Sequence, residues 1–237
     1  MKTYKLMTLA LALASLSSDM LLSLPSRSTT VLNQVQQPSK IEQPKNQQIS
    51  LGRTRKRRVA GGKKGSCQGT PDAERLTAIV TETGDDITSK EMPTFLFYIP
   101  DTAQPSLKAK FRLQANNQNV KPPIEITPKE TPGIIKVQFP AKLEQNKPYA
   151  WSLEISCGLG RSESVNGTVI YKVANPSLAE QLKRTKSKQE ASELYQREGF
   201  MLDAVAVSAE DSTAKQNWQK LLQNLGLTAL LDKRVIP

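Results

Sequence analysis

The side chains that could do chemistry in this chain are few and scattered. Asp85 and Asp86 follow a glycine, Glu91 lies a few residues on, Glu154 falls on the polar face of an alternating segment, and Glu163 lies in the loop after it. Two such carboxylates at a set separation are what a glycosidase requires. The sequence brings no two of these to that separation. Gly-Asp-Asp reads as a turn, and a polar-face Glu in a strand ordinarily pairs with a cross-strand Lys. The strings Ser106-Leu-Lys108 and Ser187-Lys188-Gln-Glu190 would be needed for a Ser–Lys nucleophile, and neither sits in a fitting context. The 237 residues contain no histidine. That excludes Ser-His-Asp and Cys-His nucleophiles and histidine metal sites. Two cysteines cannot complete a four-thiolate zinc site unaided. The expectation is a non-enzymatic protein with no catalytic residues, no metal and no cofactor; a carboxylate-based hydrolase is the remote alternative.

The cysteines are Cys67 and Cys157. Cys157 closes Tyr149–Cys157, in which Tyr149, Trp151, Leu153, Ile155 and Cys157 alternate with Ala150, Ser152, Glu154 and Ser156. A period of two with one apolar face predicts a strand that covers a core. In an oxidising compartment two cysteines in one chain pair. Closing a loop of about 90 residues is worth roughly 4–5 kcal/mol in the chain-entropy account. A redox-active thiol would need a neighbouring cysteine or a lowered pKa, and the spacing supplies neither. A structural disulfide is expected.

The compartment is read from Met1–Ala14, MKTYKLMTLALALA. Lys2 and Lys5 precede an apolar stretch of signal-peptide length, and Ala12-Leu-Ala14 is a small-x-small cleavage site. A second possible site lies near Ser23–Ser26. Ser15, Ser17, Ser18 and Asp19 break the run before it could span a bilayer. The chain is expected to be exported, periplasmic or extracellular, with residues 1–24 as signal and no transmembrane span after cleavage.

Residues 25–66 read as a disordered Gln/Pro-rich and basic linker, too polar to offset chain entropy by burial. Most of the net charge of +11 sits here: residues 40–64 carry a net +8 and residues 65–237 only +1. The core of it is Arg53–Gly65, with Arg53, Arg55, Lys56, Arg57, Arg58, Lys63 and Lys64. A nucleic-acid arm conflicts with export, so no nucleic acid is expected. A tether to an anionic envelope polymer fits the compartment. A solvated charged linker is the plainest reading. Its neutralisation is expected to leave stability unchanged.

Residues 67–174 hold seven short apolar segments with turn residues between them. They are Arg75–Thr81, Thr94–Ile99, Leu107–Gln114, Ile124–Thr127, Ile134–Phe139, Tyr149–Cys157 and Asn166–Val173. Thr94–Ile99 is apolar on both faces and is predicted to be central. The pattern predicts an immunoglobulin-like antiparallel β-sandwich. Residues 175–237 form a helical C-terminal region packed on it, so the chain is mainly β with an α tail. Its elements are Ser177–Lys188, Ser187–Glu198 with a capping box, Phe200–Ala209, and a helix from Ser212 or Thr213 with Trp218, Leu221, Leu222 and Leu225 on one stripe. The pair around Gly199 is similar to one hairpin of a tetratricopeptide-type repeat, which cannot bury itself alone. It is expected to pack on the sandwich. Any exposed part of the Trp218, Leu221 and Leu222 stripe would be a partner surface. Tyr98 and Tyr171 are the aromatics that would favour sugar if they lay on a wet face.

The segments PTFLFYIP (93–100), TPGIIKVQFP (131–140), KPYAWSLEISC (147–157) and RSESVNGTVIYKV (161–173) occur in order behind Arg58-Val-Ala-Gly-Gly62. Together they resemble the cyanobacterial domain-of-unknown-function family 928 over roughly residues 58–230. The chain departs from it at Leu96, where the family tends to carry Trp, at Ala150, where it carries Arg, and at Gly158-Leu-Gly160, where an Asp/Asn-Pro turn is usual. The resemblance implies an exported envelope protein and brings no catalytic residues. The expected function is a protein-interaction or scaffold module whose partner is another envelope protein. The alternative is an anionic envelope polymer or polysaccharide bound through the linker and sandwich. Oligomeric state is not legible.

Overall fold

The computed structural model of the chain describes residues 56–60, 67, 75–101, 107–158, 160–211 and 215–236. Among these described residues the architecture is mainly β, with two sheets of nine strands in all, followed by four α-helices. The strands are β1 (Thr77–Ala78), β2 (Asp85–Thr88), β3 (Thr94–Ile99), β4 (Lys108–Ala115), β5 (Gln118–Asn119), β6 (Ile124–Ile126), β7 (Gly133–Gln138), β8 (Pro148–Ser156) and β9 (Ser162–Tyr171). One sheet has the order β1-β3-β7. The other has the order β2-β9-β8-β4-β5, with β6 also paired to β4.

Alternation decides which way each strand faces. Tyr149, Trp151, Leu153 and Ile155 of β8 are buried, as are Ala109, Phe111 and Leu113 of β4 and Val165 and Val169 of β9. Strand β3 is buried on both faces, as its composition predicts. Phe95 and Phe97 turn toward the larger sheet, where Phe95 lies 5.0 Å from Phe111 and Phe97 5.8 Å from Trp151, centroid to centroid. Leu96 and Tyr98 turn the other way, into a second core with Ile79, Ile134, Val205, Trp218, Leu221 and Leu222. The two faces of one six-residue strand thus join a sheet-to-sheet core to a sheet-to-helix core.

The helices are α1 (Pro176–Arg184), α2 (Lys188–Arg197), α3 (Met201–Ser208) and α4 (Lys215–Asn224). Asn175 caps α1 by accepting from the Leu178 amide at 2.7 Å, and Ser187 caps α2 by accepting from the Glu190 amide at 3.1 Å. Gly199, at φ +80°, makes the turn between α2 and α3. Leu178, Leu194, Tyr195, Phe200 and Ala204 bury one another in a small third core. Asp203 on α3 ties this layer to the sheet: it accepts from the Thr88 hydroxyl and the Ser89 amide, both at 2.6 Å.

Four expectations need correction. The turn is Thr81–Gly84, closed by the Gly84 amide on the Thr81 carbonyl at 3.0 Å with Gly84 at φ +66°; Asp85 and Asp86 already belong to β2, which runs parallel to β9. The larger sheet is therefore mixed where an all-antiparallel arrangement was expected. Asp85-Asp86 offers no apolar alternation, so only its partner strand makes it a strand. The segment Arg75–Thr81 supplies just the two residues of β1. The linker boundary at residue 66 is also too late, because residues 56–60 join the fold. Arg57 exchanges two backbone hydrogen bonds of 3.0 Å with Asn166 of β9; the Arg58 carbonyl and the Ala60 amide bond Ala78 and Leu76 beside β1 at 2.9 Å. This short segment bridges both sheets. The Arg58 guanidinium donates to the Leu225 carbonyl just past α4 at 2.6 Å and reaches the Val80 carbonyl at 3.3 Å.

A guanidinium on partly buried carbonyls contributes more than a solvated one. Arg58→Gln should lower unfolding free energy by about 1–2 kcal/mol. Arg57→Gln, which keeps its backbone pairing, should change it by less than about 0.5 kcal/mol. Urea denaturation of the two variants checks this, and equal effects would contradict the placement of Arg58.

Candidate binding site

The carboxylates do not converge. Asp85 stands on the outer face of β2, held by Lys56 and the Thr168 hydroxyl. Burial works to raise its pKa, but those two hydrogen bonds and the Lys56 charge outweigh it and hold the group below the usual range. Glu154 pairs with Arg112 at 3.0 Å and Glu91 with Lys142 at 2.6 Å. Glu163 is buried and accepts from the Cys67 amide at 2.8 Å. The Ser187 hydroxyl is occupied by its helix cap, and Lys188 pairs with Glu210. Ser106 lies outside the described residues.

Asp86 faces inward and is 3% exposed. One carboxylate oxygen accepts from the Thr81 amide at 3.1 Å; the other has no hydrogen-bond partner among the described residues. Burial pushes its pKa up to about 6, against the opposing pull of the Thr81 hydrogen bonds and the Arg58 charge. Asp203 is shifted upward as well, first by burial and despite its bonds to Thr88 and Ser89.

Cys67 and Cys157 are disulfide-bonded, with Cα atoms 5.5 Å apart. The bond anchors residue 67 to the end of β8, beside the glycine turn that leads into β9. Of the basic run, Lys56, Arg57 and Arg58 are placed as above; Arg53, Arg55, Lys63 and Lys64 lie outside the described residues. The Trp218 stripe is not a surface. Trp218 is 7% exposed, Leu221 1% and Leu222 0%, all turned onto β3 and its neighbours. Tyr98 is core for the same reason. An amphipathic helix beside a sheet with an apolar outer face closes on that sheet.

Tyr171 differs. It ends β9 and lines an open cleft of about 450 Å³ with Ser89, Lys90, Val173, Ala174, Ala179, Leu182, Lys183 and Tyr195. The Lys90 ammonium lies 5.8 Å from the Tyr195 ring centroid, within cation–π range. Val173 is 57% exposed. Lys183 lies 3.6 Å from Glu180 in a solvent-exposed pair on α1. The cleft therefore offers aliphatic side chains, two tyrosine rings and two ammonium groups. Tyr171 was legible as a candidate aromatic. Lys90 and Lys183 were not, because they come together only where the β2–β3 loop meets α1 and α2.

The Asp86 shift has a stability consequence. A carboxyl whose folded pKa lies above its unfolded value stabilises the fold below about pH 4, and that stabilisation is lost as pH rises through about 6. Asp86→Asn should match the parent chain near pH 4 and gain stability toward pH 7, by up to about 3 kcal/mol. Thermal melts across pH 4–8 measure the difference, and a pH-independent difference would contradict an ionisable buried Asp86.

No curated protein matches the chain. The family model described as Domain of Unknown Function (DUF928) matches residues 58–235, beginning at the arginine that ties the first described segment to the helical layer. The match takes in both sheets and all four helices, and the chain belongs to that family.

Proposed function

We propose that this protein is a non-enzymatic binding module of the cell envelope, exported through its N-terminal segment, and that it holds an acidic, partly apolar segment of another envelope protein. The cleft beside Tyr171 carries this reading. Its lining combines the ammonium groups of Lys90 and Lys183 with aliphatic and aromatic side chains. A carboxylate flanked by apolar side chains complements both features. The lining residues include no carboxylate or side-chain amide, which leaves the Ser89 and tyrosine hydroxyls as the side-chain acceptors for sugar hydroxyls, whereas both ammonium groups suit a carboxylate. The non-enzymatic reading draws support from the dispersal of Asp85, Asp86, Glu91, Glu154 and Glu163 among separate structural partners. Export is supported by the N-terminal sequence and agrees with the disulfide. Among the described residues no helix is long and apolar enough to cross a membrane. We read the two sheets as an immunoglobulin-like sandwich, because β3 and β7 share one core with β4 and β8. The parallel β2 is its departure from that pattern.

The test is site-specific photo-cross-linking from position 173 in the full-length exported protein. A discrete protein adduct is expected, attached through a segment containing Asp or Glu. Reversing both charges with Lys90→Glu and Lys183→Glu should cut adduct yield by about tenfold or more, since repulsion replaces two attractive pairs. An adduct that survives the reversal, or the absence of any discrete adduct, contradicts the reading.

A further inference from the structure

A second surface is built by strand register. Alternation turns Lys108, Lys110 and Arg112 of β4 away from the core. Register sets them opposite Ser156, Glu154 and Ser152 of β8, and these opposite Ser162, Ser164 and Asn166 of β9. Beyond β9, Arg57 pairs with Asn166 and so projects from the same face. Read across the sheet at Arg112, the order is cation, hydroxyl, amide, cation. With strands about 4.8 Å apart, the β4 cations on one side and Arg57 on the other flank a polar strip roughly 14 Å wide.

The carboxylates on this face cancel part of its charge and leave Lys108 and Arg57 uncompensated. Glu154 is tied to Arg112 at 3.0 Å, Glu125 to Lys110 at 3.3 Å, and Asp85 to Lys56. Among the described residues no carboxylate pairs with Lys108 or Arg57, and both are exposed. Ser156, Ser162 and Ser164 are exposed as well, so the strip is open. Arg57 is also one of the basic run that begins at Arg53, so the charged stretch of sequence enters the fold at the edge of this face.

We propose that this face docks an anionic polysaccharide, a chain of uronic-acid type. It is a separate site from the cleft and does not depend on it. The flanking cations match sugar carboxylates, and the Ser and Asn side chains both donate and accept, as sugar hydroxyls require. The face carries no aromatic ring on which a base could stack, which disfavours single-stranded nucleic acid. Binding that rests on charge and hydrogen bonds at an open surface must weaken with salt.

The experiment uses the full chain and alginate oligomers of defined length, with neutral dextran and duplex DNA as comparison ligands, titrated at low and moderate salt. Alginate should bind, dextran should not, and the alginate affinity should fall as salt rises. Lys108→Gln with Lys110→Gln should weaken alginate binding by about tenfold. Ser156→Val with Ser164→Val keeps strand propensity and should weaken alginate several-fold while leaving DNA binding unchanged. Lys108→Gln alone, at an exposed position, serves if the doubles fold poorly and should give a smaller loss in the same direction. Parental affinity in the lysine variants would place all binding in the basic run and overturn the proposal. Equal loss of alginate and DNA in the serine variant, or no loss of either, would reduce the face to unspecific charge and overturn it too.

Discussion

Burial of β3 on both faces is the constraint from which the architecture follows. A strand with one wet face can serve a two-layer protein; Thr94–Ile99 has none, so it needs a layer on each side. The larger sheet supplies one through Phe111 and Trp151, and α3 and α4 supply the other through Val205, Trp218, Leu221 and Leu222. The tilted and edge-on contacts among Phe95, Phe97, Phe111 and Trp151 are the arrangements that aromatic quadrupoles favour. Close approach here leaves no tolerance at Gly167. A Cβ at that position would stand 2.5 Å from both the Trp151 ring and the Gly84 carbonyl oxygen, and the latter is backbone.

The margins of the sheets are handled by short segments. Residues 57–60 bond β9 on one side and the β1 region on the other, and Ile236 and Arg234 bond the outer edge of β7 at Ile134. Each caps a few unpaired backbone groups that would otherwise template pairing with another chain. The disulfide adds a covalent tie at the end of β8, where Glu163 also holds the Cys67 amide. Arg58 belongs to this system as much as to the basic run, because one side chain reaches the carbonyls of both Val80 and Leu225.

This packing leaves two surfaces with distinct chemistry. The outer face of the small sheet is consumed by helices, so the Trp218 stripe has no part in recognition. The outer face of the larger sheet stays polar and open. The cleft at the end of β9 is lined by apolar and aromatic side chains together with two lysines. A ligand rich in hydroxyls and a ligand rich in aliphatic groups would therefore choose different places on the same molecule, and the salt dependence of the two would differ.

Much was determined by sequence alone. Alternation in Tyr149–Cys157 and Leu107–Gln114 located β8 and β4 with their faces, because a period of two is a local property of the chain. The double-sided apolar run marked β3 as central. Cap and glycine signals placed α1 to α3 within a residue or a few, and two cysteines with an export-type N-terminus pointed to the disulfide. What escaped the sequence depends on partners distant along the chain. Asp85-Asp86 became a strand only because β9 offers an edge, and Arg57 and Arg58 left the linker only because Asn166, Val80 and Leu225 stand where they do. Lys90, Tyr171, Lys183 and Tyr195 carry no shared local pattern; the meeting of a loop, a strand end and two helices made them neighbours. Periodicity reports which side of an element is buried. Only tertiary contact decides what lies against it.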